Sequence, residues 1–163
     1  MQILWNPWRY EYIKKFTSKH KTEECLFCRV QGEKDEDALI LHRGSRAYVL
    51  LNAYPYNTGH LMIASYKHTG DILELDEETL LEMMILVKKS MKVLREAFKP
   101  DGFNIGANIG RAAGAGIPDH FHVHVVPRWV GDTNFIAIIA NTKPLPMALH
   151  ESYSLLKSIW NKV

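Results

Sequence analysis

His120-Phe-His-Val-His-Val-Val-Pro-Arg128 is the stretch whose reading decides the fold and the chemistry of this chain. Side chains alternate across a β-strand, so His120, His122 and His124 project from one surface. Phe121, Val123 and Val125 then line the opposite, buried surface. Such alternation marks a strand with one face on a core, as antiparallel sheets have. A face that was merely solvated would use Thr, Lys or Glu, because imidazoles in a row are poor packing material. Two chemistries use such a row. His-x-His makes a pair of metal ligands, or one imidazole attacks while its neighbours handle charge and protons.

Immediately upstream, Asn108-Ile-Gly-Arg-Ala-Ala-Gly-Ala-Gly-Ile-Pro-Asp119 carries Gly110, Gly114 and Gly116, with Ala112, Ala113 and Ala115 between them. Small residues let a backbone approach a ligand, and consecutive N–H groups can form an anion-binding nest. Alone, such a loop is an ordinary turn. Running straight into the histidines, it reads as a phosphate held against an imidazole.

Outward from this centre the chain reads as short strands and tight turns. Apolar runs at 39–41 and 47–51 are two strands joined by a turn at Arg43-Gly-Ser45. Tyr56-Asn-Thr-Gly59 turns the chain into a third strand at 60–64, and strands follow at 103–108 and 121–126. Between them lies a long helix, capped by Asp76 and closed by Pro100. Leu80, Met83, Met84, Val87, Met91, Leu94 and Phe98 form its helical-period apolar stripe, read as a core face rather than a partner groove. A second helix spans 145–160, and the polar residues 14–34 read as irregular around Cys25-Leu-Phe-Cys28. Strands meeting through tight turns with a helix on one face make an antiparallel α+β domain. We read a single domain over 1–163, with an amino-terminal segment (1–34), a catalytic core (35–135) and a carboxy-terminal extension (136–163).

Composition narrows the function. A chain of 163 residues can bury a core without covalent staples. Its formal charge of +2, with Lys14-Lys15 and Lys88-Lys89 as solvated faces, gives no nucleic-acid footprint. No apolar run approaches the roughly 18 residues of a membrane span. Met1-Gln-Ile-Leu-Trp-Asn-Pro-Trp8 lacks a basic-then-apolar signal pattern, and two cysteines make no disulfide framework, so a reducing cytoplasm is expected. Cys25-Leu-Phe-Cys28 is either two unconnected thiols or half of a metal site. A redox pair would want a βαβ context that the sequence lacks.

The triad and its loop resemble the signature of the histidine-triad superfamily of nucleotide hydrolases and transferases. Further pieces match along most of the chain: Leu4-Trp-Asn-Pro-Trp-Arg-Tyr-Glu-Tyr-Ile13, Leu51-Asn-Ala-Tyr-Pro-Tyr-Asn-Thr-Gly-His-Leu-Met62, Gly102-Phe-Asn-Ile-Gly-Ala-Asn-Ile-Gly110 and Pro127-Arg-Trp-Val-Gly-Asp-Thr-Asn-Phe135. They are most similar to the bacterial branch of diadenosine tetraphosphate phosphorylases, or ATP adenylyltransferases. The resemblance implies a five-stranded fold that pairs into a homodimer. It makes His122 the nucleophile, with an adenylyl-histidine intermediate, and gives phosphate contacts to His124 and support of the triad to His60. Asn52 and Asn108 match positions that hold the ribose and the α-phosphate, beside the small residues Gly114 and Gly116. Asn134, Arg128 and Trp129 fall where the second nucleotide or the longer polyphosphate is contacted. Relatives that keep the cysteine pair complete a structural zinc site with two histidines, here His68 and His120. Where hydrolase branches carry Gln and then Ser or Thr, this chain has Gly116 and Ile117. Leaving-group protonation is thereby left to His124, a backbone donor or water.

The expected partners are therefore an adenine nucleotide or dinucleoside polyphosphate and phosphate, with no organic cofactor. The expected reaction is phosphorolysis of diadenosine tetraphosphate to ADP and ATP. The alternatives are a hydrolase or phosphoramidase releasing AMP, and a regulatory protein that binds nucleotide with little turnover. A metallohydrolase built on the triad would want further ligands close by.

Overall fold

The histidine stretch forms β5 (His122–Arg128), held antiparallel between β3 (Leu61–Ser65) and β4 (Gly102–Gly106). The sheet continues beyond β3 through β2 (Ala47–Leu51) to β1 (Ile40–Arg43), giving the order β1-β2-β3-β5-β4 with every neighbour antiparallel. This computed structural model describes residues 24–133 and 145–163. The aromatic stretch 4–13 and Asn134 lie outside the described residues. The sheet belongs to a compact unit comprising Cys25–Val130 and Leu145–Val163, so the carboxy-terminal helix packs with the sheet.

Register sorts the side chains onto two faces. Met62 stands opposite His124 and Ala64 opposite His122, while Leu50 and Tyr48 stand opposite Met62 and Ala64. These residues share the triad's face. Val49, Leu51, Leu61, Ile63, Val123 and Val125 take the other face and pack on α2 (Glu77–Phe98) and α3 (Leu149–Trp160) through Met83, Val87, Leu94, Leu156 and Trp160. Each such side chain, fully buried, contributes about 1.5–3 kcal/mol. The triad's face carries a smaller apolar cluster under α1 (Leu26–Gln31), where Phe27 and Val30 meet Ile40, Tyr48, Leu50, Met62 and Ala64. Both faces are thus covered over part of their area, and the triad lies beside the covered part of its own.

Local chemistry explains the element ends. Asp76 caps α2, its carboxylate accepting the Thr79 N–H at 2.7 Å, and Glu77 and Glu78 favour the positive end of the helix. Lys99 takes the left-handed conformation at the other end, just before Pro100. Gly59 is left-handed too, and a Cβ there would lie 2.7 Å from Phe98 and 2.9 Å from Leu94. Only glycine lets the turn ahead of β3 sit so close to α2. Arg43 donates to the Gln31 and Glu33 carbonyls at 2.8 Å each and to Asp35 at 2.7 Å, closing the end of α1. Lys157 of α3 donates to the same carboxylate and to the Ile40 and Leu41 carbonyls, so Asp35 fastens α1, β1 and α3 together.

Several expected boundaries shift for physical reasons. β1 runs through Arg43, which pairs with Tyr48, so the turn begins a residue later than the glycine pattern indicates. β4 ends at Gly106, leaving Asn108 in the following loop. β5 continues through Pro127 to Arg128: β3 has no partner beyond Val125, so the missing proline N–H costs no bond on that side. α3 begins at Leu149 rather than 145. The segment around Cys25 and Cys28 is helical rather than irregular, because Phe27 and Val30 at i, i+3 anchor one turn to the sheet. Met84 is 56 % exposed and leaves the expected stripe, while Leu86 and Val93 are buried. No described helix is long and apolar enough to cross a membrane.

Candidate active site and metal centre

Three of the histidines around β5 are fixed by backbone or ring acceptors that dictate which nitrogen carries the proton. His122 Nδ1 lies 2.8 Å from the His120 carbonyl, which can only accept, so Nδ1 carries hydrogen and Nε2 keeps its lone pair. Burial holds this ring's pKa below the ordinary imidazole value, outweighing the opposite pull of that hydrogen bond. His122 is therefore neutral near pH 7, with Nε2 as a base or nucleophile.

His60 precedes β3, its carbonyl accepting the Asn52 N–H at 2.9 Å. Its Nδ1 accepts from the Tyr56 backbone N–H at 3.1 Å, and the Asn52 amide nitrogen stands 3.3 Å away. Nδ1 being an acceptor, Nε2 carries the hydrogen and donates to His124 Nδ1 at 2.9 Å. A neutral His124 then carries its own proton on Nε2, the nitrogen turned away from His60. Burial, followed by the nearby His124 and His122, pushes the pKa of His60 down to about 3. His60 thus stays neutral and holds its partner's tautomer.

The loop that delivers His60 is pinned from several sides. Asn57 donates to the Pro127 carbonyl at 3.0 Å, tying the loop to β5. Asn52 Oδ1 accepts from the Tyr54 N–H at 2.8 Å, which fixes the amide with its nitrogen toward His60. The Tyr56 ring stands 4.5 Å from the His60 ring and 5.8 Å from the His124 ring. On the other side, Phe27 lies 5.1 Å from the His120 ring and 4.6 Å from the His122 ring.

His120 faces elsewhere. Its Nε2 donates to the Ser65 carbonyl at 2.8 Å, leaving the Nδ1 lone pair toward two thiols: Cys25 Sγ at 3.4 Å and Cys28 Sγ at 3.6 Å. His68 Nδ1 lies 3.3 Å from Cys28 Sγ, and the four ligand atoms all fall within 4.8 Å of one another. Zinc bonds of about 2.3 Å to sulfur and about 2.0 Å to nitrogen put S and N about 3.5 Å apart across a tetrahedron. The cluster matches that spacing, and the Ser65 carbonyl supplies the outer hydrogen bond that orients a metal-bound imidazole. These four residues can coordinate a metal ion. His120 joins both centres, its side chain facing the thiols and its carbonyl holding His122.

A family model, the HIT domain, matches residues 33–130, which span the sheet, α2 and all three triad histidines. The chain belongs to the HIT domain family. An AP-4-A phosphorylase from Mycobacterium tuberculosis is 37% identical over 98% of this chain and 85% of its own length. The crystal structure of a Zn-bound histidine triad family protein from Mycobacterium smegmatis superposes with a TM-score of 0.69 at 28% identity, covering 85% of this chain and 94% of that one. A histidine triad nucleotide-binding protein from Sulfolobus tokodaii gives 0.65 at 32% identity, over 85% and 90% of the two chains.

Within this HIT domain the residues singled out from sequence fall into groups. His60, His122 and His124 converge over the first residues of β5, and Cys25, Cys28, His68 and His120 converge just ahead of its start. Asn52 lies against His60, which the sequence did not indicate. Asn108 is half-buried two residues beyond Gly106, the residue paired with His124. Gly110 and Gly114 are left-handed, bracketing a short 3-10 turn, and Gly114 and Gly116 are exposed. Arg128 donates to Asn104 at 2.6 Å, and the Trp129 ring nitrogen donates to the Phe98 carbonyl at 3.3 Å. The sequence reading missed Phe27, although it lies inside the cysteine pair. It also missed the close seating of Gly70 on Pro118, where a Cβ would collide with the carbonyl oxygen. With the Phe121 N–H donating to the Thr69 carbonyl, this contact locks the segment after His68 onto the entry to β5.

Proposed function

We propose that this HIT domain is a nucleotidyl-transferring enzyme that cleaves diadenosine polyphosphates through an adenylyl-histidine intermediate, with phosphate as acceptor. The observation that carries the reading is the His122 tautomer: Nδ1–H is spent on the His120 carbonyl and Nε2 is left with its lone pair beside His124. Nε2 attacks an α-phosphorus, the P–N bond forms, and the bond to the bridging oxygen breaks. From the tetraphosphate, ATP departs, and His124 Nε2–H hydrogen-bonds the oxygen on which charge develops. A phosphate oxygen then attacks the same phosphorus, the P–N bond breaks, and ADP leaves with the electron pair returned to His122. Asn52, Asn108, Gly114, Gly116 and Asn134 are the proposed nucleotide contacts, in keeping with the family pattern.

Ile117 supports phosphorolysis over release of AMP from adenylylated amines. It is half-buried against the α1 cluster and offers no hydroxyl to a leaving group. An amine leaving from phosphorus needs a full proton. A departing polyphosphate has its last ionisation near about pH 6 and needs only a hydrogen bond. The likeness to the mycobacterial AP-4-A phosphorylase points the same way.

We further propose a structural zinc held by Cys25, Cys28, His68 and His120, supported by their spacing and by the zinc-bound relative. The ion would tie α1 to the catalytic strand and supply no chemistry to the transfer. A homodimer is proposed as well: Leu81, Met84 and Ile85 expose an apolar patch at helical spacing on α2, and β4 is the last described strand on its side of the sheet. The test of the reaction is to incubate the protein with diadenosine tetraphosphate, with and without phosphate, and separate the products. Phosphate should accelerate consumption and place ADP beside ATP. AMP and ATP formed at the full rate without phosphate would overturn phosphorolysis.

A further inference from the structure

We propose that Gly106 is a specificity-determining residue for the leaving group, its missing side chain making room beside His124 for the polyphosphate of a dinucleotide; this rests on the adenylyl-transfer reading above. Gly106 closes β4 and pairs in register with His124 of β5. Directly paired residues of antiparallel strands project to the same face, with Cβ atoms about 5 Å apart. A side chain at position 106 would therefore stand beside that of His124.

Neither conformation nor packing asks for glycine here. Gly59, Gly110, Gly114 and Gly131 are left-handed, and Gly106 is not among them. A Cβ built on Gly106 meets no described atom within 4 Å beyond its chain neighbours, whereas one on Gly59 would lie 2.7 Å from Phe98. Glycine weakens a strand relative to a β-branched residue, and where the fold does not demand it, it marks close approach by something else.

Position says what approaches. β5 lies between β3 and β4, so His124 has Met62 on one flank and Gly106 on the other. The Met62 flank is closed. Met62 is buried in the cluster under α1, His60 is fully buried, and the Tyr56 ring stands 4.5 Å from His60 on that side. Gly106 is exposed. In the displacement, His122 Nε2 enters opposite the leaving oxygen, which is the oxygen assigned to His124. A departing triphosphate with its nucleoside extends outward from that oxygen, and the flank over Gly106 is where it passes. A leaving group of one or two atoms needs no such room.

The test uses the full-length protein and its Gly106→Ala and Gly106→Val variants, with two substrates that carry the same adenylyl group. Diadenosine tetraphosphate releases ATP, and adenosine phosphorofluoridate releases fluoride. In both, His122 Nε2 forms the bond to phosphorus and the departing group takes the electron pair of the bond that breaks. Single-turnover release without phosphate isolates this step from the acceptor. At subsaturating substrate, Gly106→Ala should slow ATP release about threefold and Gly106→Val about tenfold or more, with fluoride release kept within about twofold. Valine suits a strand, so neither melting temperature nor molar mass in solution should fall. An unchanged ratio of ATP to fluoride release in Gly106→Val overturns the inference alone. So does an equal loss of both rates with a changed molar mass, which assigns the space to a second copy of the chain. If Gly106→Val melts at a lower temperature, Gly106→Ala decides instead, and an unchanged ratio in that variant is the overturning result. A wild type that releases neither ATP nor fluoride overturns the adenylyl-transfer reading and the inference with it.

Discussion

Acidification should weaken this protein through His60 in a calculable way. The imidazole is fully buried, and its pKa falls from an ordinary 6.5 to about 3 in the folded state. A histidine with a depressed folded pKa is neutral when folded and takes up its proton on unfolding. Its contribution is therefore complete above pH 6.5 and is lost as pH falls from 6.5 toward about 3. Each pH unit in that window is worth about 1.4 kcal/mol, so moving from pH 7 to pH 5 should cost about 2 kcal/mol through this one residue. Other histidines titrate as well, and metal release adds its own slope, so the effect is isolated by difference. His60→Gln keeps a hydrogen-bonding side chain and cannot titrate. Urea unfolding of both proteins at pH 7 and pH 5 should show the gap between wild type and variant narrowing by about 2 kcal/mol at the lower pH. A gap that stays constant within about half a kcal/mol would mean that His60 is charged or well solvated in the folded protein, and the tautomer assigned to His124 would fall with it.

Removing a thiol from the metal cluster should act on folding more than on the transfer itself. Cys28→Ser is expected to lose a metal ion that copurifies at about one per chain with the wild type, and to melt at a lower temperature. Elemental analysis and a thermal scan check both, and a metal-free wild type purified without chelators refutes the zinc assignment. Lys157→Met should cost about 1–2 kcal/mol, since it removes the Lys157 bonds to the Leu41 and Ile40 carbonyls, leaving Ile40 its bond from the Tyr153 hydroxyl, and takes away half of the Asp35 pairing while the side chain remains partly solvated. Its folded state should still bind metal, because Arg43 alone keeps α1 closed.

What could be read from the sequence was what obeys a period or a spacing. The alternation of His120, His122 and His124 against Phe121, Val123 and Val125 identified β5 and its two faces. The run from Asp76 to Pro100 identified α2 with its cap. The Cys-x-x-Cys spacing marked half of the metal cluster, and His68 and His120, which only the family resemblance had implied, meet the two thiols there. What escaped depends on partners that no local pattern encodes. Pro127 looks like a strand end, yet β5 passes through it because only β4 pairs there. α1 carries no side-chain cap, and its single turn is specified by Phe27 and Val30 finding the sheet. Met84 follows the helical period but sits at the margin of a face that Leu86 and Val93 define. Asn52 reads as a nucleotide contact, and no local pattern shows that its amide nitrogen also faces His60 while its oxygen accepts the Tyr54 N–H. Sequence marks which residue types gather, and only the fold says which atom of each faces which.

The central claim is that His122 Nε2 carries the adenylyl group. The direct measurement mixes the protein with diadenosine tetraphosphate in the absence of phosphate, quenches in alkali, where a phosphorus–nitrogen bond survives, and maps the adduct by mass spectrometry of peptides. The account predicts an adenylyl group on His122, formed together with ATP. It also predicts that His122→Ala forms no adduct and turns over at least about a thousandfold more slowly while still binding nucleotide. An adduct on His124 or His120, or substantial turnover by His122→Ala, would contradict it.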